Sequence, residues 1–306
     1  RFYRESKIIS GLSHPNIVRL IEFGQDRERD LLYLVMELVD GFNLGDIIER
    51  DRMKVALALE IVYQVCGALT EPHALDVIHR DLKPDNLLIV PISDGTIQVK
   101  VLDFGIARAL ETNTQLTATG MVCGTPQYMA PEQAQNSELG PATDLYALGV
   151  MLYEMLCGQP PFTGQNSLQV MLQQIQTTPP PLRNFLSELP DEVEDLVNDM
   201  LAKDTAGRPQ SAREVRDRID KIRRLYDLDP VRIDPDHAVG LDLEGGFFLH
   251  DRNHQRISQS RNGRVVLGPV EHDGADPGRA GQRAGGGGPG LLGDHRGGLG
   301  LGHLLA

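Results

Sequence analysis

The sequence predicts an α+β fold in two parts, a small part that contains strands and a larger part that is mainly helical. Two changes of residue pattern along the chain support this prediction. Residues 1–39 have the spacing of part of a helix and then two strands, and residues 40–225 are dominated by apolar residues at helical spacing. In chain order, the small part comprises RFYRESKIISGL as helix and NIVRLIEFG and LLYLVMELV as strands, with charged DRERD as the turn.

Each element of the larger part has its own pattern. VALALEIVYQVCGALTEPHAL repeats apolar residues over about five helical turns. ATDLYALGVMLYEMLCG is apolar nearly all round, as a buried central helix requires. The short segments VIH, NLLIV and QVKVLDF predict strands, and SDGT between the last two predicts a hairpin turn.

The composition is that of an ordinary globular protein, since 41% of the residues are hydrophobic and 24% are charged. The formal net charge of −13 argues against a nucleic-acid partner, which usually needs a basic face. Cys66, Cys123 and Cys157 lack metal-ligand spacing, which indicates a reducing, cytoplasmic compartment. No uninterrupted apolar run approaches the roughly 18 residues of a membrane helix.

Residues 226–306 differ in composition from the rest of the chain, and 13 of the chain's 32 glycines lie in the last 33 residues. Such a segment cannot bury enough apolar surface to fold, so we expect it to be disordered. Two explanations stay open, a flexible linker and a reading-frame error in GC-rich DNA. Because the chain begins at Arg1 inside an apparent helix, we also expect it to be a fragment of a longer protein.

Three short motifs in the larger part carry the chemistry. They are HRDLKPDN at His79–Asn86, DFG at Asp103–Gly105 and APE at Ala130–Glu132. Each triplet alone is a weak signal. All three in this order, with steps of 22 and 29 residues between their acidic positions, have almost no chance explanation.

With these motifs the chain resembles the protein kinases over about residues 1–225. The resemblance implies a two-lobed α+β fold, a small β-rich lobe on a larger helical lobe, with ATP bound between them. It also implies Mg²⁺ as cofactor, with Mn²⁺ as the alternative. The small lobe is expected to be truncated, because the sequence has no Gly-rich loop and no lysine in a VAIK-like strand; GGGGPG near the C-terminus lies at the wrong end and opens no helix.

The resemblance assigns the catalytic roles to four residues. Asp81 would orient the substrate hydroxyl and accept its proton, and Lys83 would contact the γ-phosphate. Asn86 and Asp103 would supply the hard oxygen ligands that Mg²⁺ prefers. The plain alternative, a charged turn at HRD and a hairpin carboxylate at Asp103, does not account for both motifs together.

Nucleotide contacts follow from the same resemblance. Met36 would gate the back of the pocket, the Glu37 carbonyl and the Val39 N–H would bond the adenine edge, and Leu88 would lie under the ring. Glu5 resembles the helix glutamate that pairs with a strand lysine. For Leu88 plain core packing is equally good, and Glu5 has the alternative of a solvated surface residue.

Five further residues resemble structural positions of the family. His79 and Phe104 would pack in an apolar column between the lobes, together with Ile9 and Leu20. Asp144 in DLYALG would accept backbone hydrogen bonds from the catalytic loop, since an aspartate in so apolar a helix is costly unless it is satisfied. Glu132 and Arg208 would form an ion pair in the lower lobe, with a solvated pair of little value as the alternative.

The subtype implied is a bacterial, eukaryote-like serine/threonine kinase, because DLKPDN, GTPQYMAPEQA, RFYRE and HPNIV are most similar to that group. Thr125 would help to select Ser or Thr substrates. Arg80 would pair with a phosphothreonine, and Thr117 and Thr119 stand where such kinases autophosphorylate.

The function expected from the sequence is therefore ATP-dependent phosphorylation of Ser/Thr hydroxyls on protein substrates, with a kinase homodimer as the route to autophosphorylation in trans. The 306 residues by themselves are expected to bind ATP weakly and to turn over very slowly. A pseudokinase scaffold is the alternative, and a small-molecule phosphotransferase is disfavoured by the APE and GTPQY segments. The kinase domain is expected in the cytoplasm, in a parent protein that can carry a membrane anchor.

Overall fold

The computed structural model describes residues 11–26, 31–102, 104 and 126–228, together with the short strands 258–259 and 265–266. The chain forms two compact units, Arg1–Pro269 and Val270–Ala306, and every described residue lies in the first. The predicted domain end at residue 225 stays a prediction.

The structure describes seven strands, and the last two, near residue 260, form a two-stranded sheet of their own. They are β1 Leu20–Asp26, β2 Leu31–Met36, β3 Phe42–Asn43, β4 Leu87–Pro91, β5 Ile97–Val101, β6 Ser258–Gln259 and β7 Val265–Val266. The described part of the chain also contains seven α-helices. They are α1 Leu44–Ile48, α2 Val55–Ala74, α3 Pro131–Ala134, α4 Pro141–Cys157, α5 Ser167–Gln176, α6 Asp191–Met200 and α7 Ala212–Tyr226. Short 3₁₀ turns lie at Pro84–Asn86, Pro126–Tyr128, Leu182–Asn184 and Thr205–Gly207.

The pairs β1–β2 and β4–β5 are local, which explains why the sequence predicts these strands, whereas β3 pairs with the distant β4, with Phe42 opposite Ile89. β1 and β2 form an antiparallel hairpin whose register runs from Leu20 opposite Met36 to Asp26 opposite Leu31. The turn between β4 and β5 is the predicted SDGT segment, where the Asp94 carboxylate accepts from the Thr96 N–H at 2.9 Å and Gly95 has φ +84°. The prediction of an α+β fold with a small strand-containing part and a larger helical part is confirmed.

The segment VIH, predicted as a strand, is not one. Residues 77–79 run as irregular chain after α2. The His79 N–H donates to the Asp144 side chain at 2.8 Å, so a buried carboxylate takes the place of a neighbouring strand. A three-residue apolar run is too short for pattern alone to separate these outcomes.

Helix α4 is the centre of the larger part. Every residue from Thr143 to Tyr153 is buried, which agrees with the prediction of a central helix that is apolar on all sides. Gly158 ends the helix with φ +75°, the left-handed conformation that glycine adopts without steric cost. Helices α2 and α6 pack on α4.

Helix α2 is the one described helix that is long and apolar enough to cross a membrane by length and composition. It nevertheless packs against α4, α7 and β5, and it contributes Leu59, Val62, Val65 and Leu69 to the core with no exposed surface. These contacts make it a core helix of this domain.

The small part is tied to the larger one by backbone. Ile17 forms a parallel bridge with Val101, and the Val18 N–H donates to the Val101 carbonyl at 2.9 Å. The Asn16 amide adds hydrogen bonds to Val99 O and to the Gln64 side chain, both at 2.8 Å. These contacts anchor the strand hairpin directly beside the end of β5, where the DFG motif begins.

Candidate active site

The loop of residues 75–83 is held by hydrogen bonds to one buried carboxylate. Asp144, in the first turn of α4, is 1% exposed. Its Oδ2 accepts from the His79 N–H at 2.8 Å and faces His73 Nε2 at 2.8 Å, and its Oδ1 accepts from the Arg80 N–H at 2.9 Å. The burial of Asp144 is therefore compensated by hydrogen bonds that also set the path of the loop.

Asp81, Lys83 and Asn86 come together on that loop. The Asn86 amide donates to the Asp81 carbonyl at 2.7 Å and approaches Asp81 Oδ2 at 3.4 Å. Lys83 Nζ lies 3.7 Å from Asp81 Oδ2. Both side chains reach solvent, with 25% of Lys83 and 37% of Asp81 exposed. A carboxylate, an ammonium and a carboxamide thus share one accessible surface.

The ends of the DFG motif are attached to the same loop. His79 Nε2 lies 2.8 Å from the Leu102 carbonyl, and the Leu102 N–H donates to the Asn86 carbonyl at 2.9 Å. The Phe104 ring is 3% exposed and packs on the His79 ring with centroids 5.0 Å apart. Asp103 itself lies outside the described residues, but Leu102 and Phe104 on either side of it both contact the loop.

The segment after β2 offers two free backbone groups. Among the described residues, neither the Glu37 carbonyl nor the Val39 N–H has a hydrogen-bond partner. Leu88 on β4 is 8% exposed, and Met36 packs against the core at the end of β2. Leu20, opposite Met36 in the β1–β2 hairpin, is buried in the same core.

The Glu37 side chain makes an ion pair that the sequence analysis missed. Lys100 Nζ on β5 lies 2.6 Å from Glu37 Oε1, which also accepts from the Arg19 N–H at 3.2 Å. Burial works to raise the pKa of the Glu37 carboxyl, but the Lys100 ammonium and the Arg19 N–H outweigh it and hold that pKa below its usual value. The alternation of strand β5 puts Lys100 on the partly exposed face, yet nothing in the sequence names its partner.

Glu132 and Arg208 form a buried bidentate pair. Arg208 Nη1 and Nη2 lie 2.8 and 2.9 Å from the two carboxylate oxygens, and the Thr143 hydroxyl donates to Oε1 at 2.9 Å. Burial alone would raise the pKa of Glu132, but Arg208 holds it below the usual value. The Arg208 Nε also donates to Ala202 O at 2.7 Å.

The loop is further held by Gln133, which the sequence analysis did not single out. Its Nε2 donates to the Arg80 carbonyl at 2.8 Å. Six of the predicted residues lie outside the described residues, so the structure does not test their contacts. They are Glu5, Ile9, Asp103, Thr117, Thr119 and Thr125.

A loop that presents Asp, Lys and Asn together and is held by a buried aspartate is the arrangement expected for the catalytic loop of the protein kinase class. The model of the protein kinase domain family matches residues 1–218, and the chain belongs to that family.

Comparison with known proteins places it among the bacterial serine/threonine kinases. It is 39% identical over 248 residues to the serine/threonine-protein kinase pkn3 of Myxococcus xanthus, covering 78% of this chain and 45% of that protein. It is 40% identical over 227 residues to PknA of Mycobacterium tuberculosis, covering 73% of this chain and 51% of that protein. The chain thus spans about half the length of these relatives.

A solved structure has the same fold. The crystal structure of the PknI kinase domain of Mycobacterium tuberculosis, a double mutant, superposes with a TM-score of 0.56 and 25% sequence identity, covering 72% of this chain and 77% of that one. The predicted resemblance to the bacterial serine/threonine kinases is therefore confirmed.

Proposed function

We propose that this chain carries the catalytic machinery of a kinase that transfers the γ-phosphoryl group of ATP to Ser and Thr hydroxyls of proteins. The observation that carries the proposal is the cluster of Asp81, Lys83 and Asn86 on one loop whose backbone is fixed by Asp144. Phosphoryl transfer needs positioned charges more than a strong base, and this cluster supplies them.

Asp81 orients the attacking hydroxyl and accepts its proton late in the transfer. Lys83 stands 3.7 Å from that carboxylate, close enough to bring a positive charge to the transferring phosphoryl group. The Asn86 side chain suits a magnesium ligand, because its nitrogen donates to the Asp81 carbonyl and a carboxamide oxygen is a hard ligand of the kind that Mg²⁺ prefers. Mg²⁺, with Mn²⁺ as the alternative, would be held by Asn86 and Asp103 and would neutralise phosphate charge when bound.

The free Glu37 carbonyl and Val39 N–H support an adenine site after β2, since an adenine edge presents one donor and one acceptor to such a segment. Leu88 would form the floor below the ring and Met36 the rear wall. Glu5 would pair with a strand lysine, the role of the helix glutamate that it resembles.

Regulation is proposed on the loop before Pro126. Phosphorylation of Thr117 or Thr119 by a second copy of the kinase would create an anion for Arg80, and Thr125 would contact the catalytic loop. The kinase domain, residues 1–225, would work in the cytoplasm on protein substrates.

The test is an autophosphorylation and peptide-phosphorylation assay with radiolabelled ATP on the full-length gene product and on the 306-residue chain. We expect Asp81→Asn to lower kcat of the full-length protein by at least about 10²-fold, since the general base is lost while the loop keeps its shape. The control is Asp76→Asn, which removes an exposed carboxylate at the start of the loop, away from Asp81, and leaves φ +57° to a residue that tolerates it.

Equal phosphate incorporation by wild type and Asp81→Asn would remove Asp81 from this role. No incorporation by the wild type, with ATP still bound, would favour a pseudokinase scaffold. The 306-residue chain is expected to bind ATP weakly, because it contains no Gly-rich phosphate loop and no VAIK-type lysine.

A further inference from the structure

The backbone of Arg80 is held in a conformation that residues with side chains avoid. Its φ is +67°, in the left-handed region, where Cβ approaches the neighbouring carbonyl. Strained backbone of this kind persists only when surrounding contacts over-determine it, and it is frequent where a side chain must be aimed. Arg80 directly precedes Asp81, so the contacts that hold Arg80 also orient the catalytic carboxylate.

Hydrogen bonds hold the backbone of Arg80 on both its amino and its carboxyl side. On its amino side, the His79 and Arg80 N–H groups donate to the Asp144 carboxylate at 2.8 and 2.9 Å. On its carboxyl side, the Arg80 carbonyl accepts from Gln133 Nε2 at 2.8 Å. That carbonyl belongs to the peptide group whose N–H is the N–H of Asp81. Gln133 therefore sets the orientation of the peptide that leads into the catalytic residue.

Gln133 is itself firmly placed. Its Oε1 accepts from the Ala130 N–H at 2.9 Å, so both ends of its amide are occupied. The preceding residue is Glu132, which is pinned by the bidentate bond to Arg208. Gln133 also lines a small cavity that Asp81 and Lys83 share. The Gln133 amide thus joins the APE segment to the catalytic loop.

We propose that Gln133 is a positioning residue for Asp81, which keeps Arg80 in the left-handed conformation through its carbonyl. This inference rests on the proposed kinase function and adds to it a residue outside the three motifs. Loss of the amide leaves the peptide between Arg80 and Asp81 with one long hydrogen bond, from the Asp81 N–H to His79 Nδ1 at 3.4 Å, and we expect the peptide to rotate. The Asp81 carboxylate then loses its alignment with the hydroxyl, while the adenine-binding segment after β2 is untouched.

The test compares Gln133→Met, Gln133→Glu and the control Gln135→Met in the full-length protein. Gln133→Met keeps the length of the side chain without its hydrogen bonds, and we expect kcat to fall about tenfold with KM for MgATP unchanged. Gln133→Glu puts a carboxylate oxygen against the Arg80 carbonyl and is expected to lower kcat further. Gln135 is an exposed residue at the end of the same helix, and its variant should stay within about twofold of wild type.

A merely structural role would lower the melting temperature and weaken nucleotide binding as well, so both are measured on each variant. The second readout does not need activity: a crystal structure of Gln133→Met in the 306-residue chain reports φ at residue 80. A shift of that angle out of the left-handed region supports the proposal. A retained angle of about +67° together with a kcat within about twofold of an active wild type overturns it. If the wild type transfers no phosphate, the kinase proposal fails, and the angle alone decides the role of Gln133.

Discussion

At the scale of single residues, the site is organised by charges that are paired and buried. Asp144 holds the catalytic loop, Arg208 holds Glu132, and Lys100 holds Glu37. Asp144 and the Arg208–Glu132 pair are almost completely buried, and the Lys100–Glu37 pair is partly open to solvent. Removing one partner of a buried pair leaves an uncompensated charge, so the buried pairs should be sensitive to substitution and the open pair should be sensitive to geometry.

Glu132→Gln should destabilise the domain by about 3–5 kcal/mol at neutral pH, because Arg208 is left buried without its anion. The folded-state pKa of Glu132 is lowered from 4.5, so this stabilisation is present above pH 4.5 and is lost as pH falls through the lower folded value. Urea unfolding at pH 7 and at a series of lower pH values measures the difference from wild type, which should shrink in acid. Glu138→Gln, at an exposed position, is the control, and a difference that grows in acid would contradict the assignment.

The Lys100–Glu37 pair should contribute to nucleotide affinity by holding the segment after β2, where we propose the adenine site, against β5. We expect Lys100→Glu and Glu37→Lys each to raise the dissociation constant for MgATP about two- to fivefold, the size of a partly exposed ion pair. The double variant Glu37→Lys with Lys100→Glu should recover most of the affinity, since it restores the pair with its charges exchanged. Calorimetric titration measures all four proteins, and failure of the double variant to recover would show that the ion pair is not the cause.

At the scale of elements, the helices of the larger part are set by close approach as much as by apolar spacing. Gly149 in α4 is an instance, because a Cβ at that position would lie 2.7 Å from Met200 Cβ on α6. Gly67 in α2 has more room, since the nearest atom to its Cβ would be His14 Cε1 at 3.6 Å. The two helical glycines therefore predict opposite effects for the same substitution.

Gly149→Ala should destabilise the domain by about 1–3 kcal/mol, because overpacking of α4 on α6 exceeds the gain of about 1 kcal/mol in helix propensity. Gly67→Ala should be neutral or stabilising for the converse reason. Urea unfolding of the two variants decides the matter. Equal effects would mean that α4 and α6 can separate without cost.

Sequence reasoning succeeded for elements whose cause is local and failed where the cause is a distant partner. The β4–β5 hairpin follows from Asp94 and Gly95 within its own turn, and Asp144 was recognisable because an aspartate in an apolar helix demands hydrogen bonds. Residues 77–79 were wrongly predicted as a strand because the group that binds their backbone is the side chain of Asp144, which lies 65 residues from His79 in the sequence.

The same physical reason explains the residues that were missed in the site. Lys100 and Gln133 belong to no motif, and each acts through one contact across the fold, 63 residues to Glu37 and 53 residues to Arg80. A glutamine that follows APE or a lysine in a strand carries no sign of such a partner in the sequence.

At the scale of the whole molecule, the described fold places every element of the catalytic loop within residues 11–228. The core that supports it runs from Leu12 to Ile222 through α2, α4, α6 and α7. Residues 229–306 contribute only the short strands β6 and β7 to the described structure. Strand β7 contacts β2, but the described buried core residues all lie between Leu12 and Ile222, so we expect residues 229–306 to add little to the stability of the domain.

A chain that ends at residue 228 should therefore unfold in urea at the same midpoint as the 306-residue chain, within about 0.5 kcal/mol in free energy. Circular dichroism of the two forms measures this difference. A loss of more than about 2 kcal/mol would mean that the glycine-rich segment covers part of the core, and it would move the predicted domain end beyond residue 225.

The hydrogen bonds to Asp144 also determine when the catalytic loop can reach its observed conformation during synthesis of the chain. His79 emerges from the ribosome 65 residues before Asp144, which accepts its N–H. Arg208, which pairs with Glu132 of the APE segment, comes 76 residues after Glu132. A nascent chain that has delivered the motif but not α4 lacks the carboxylate that accepts the His79 and Arg80 N–H groups. The loop therefore reaches its observed conformation only after the first turn of α4 has been synthesised.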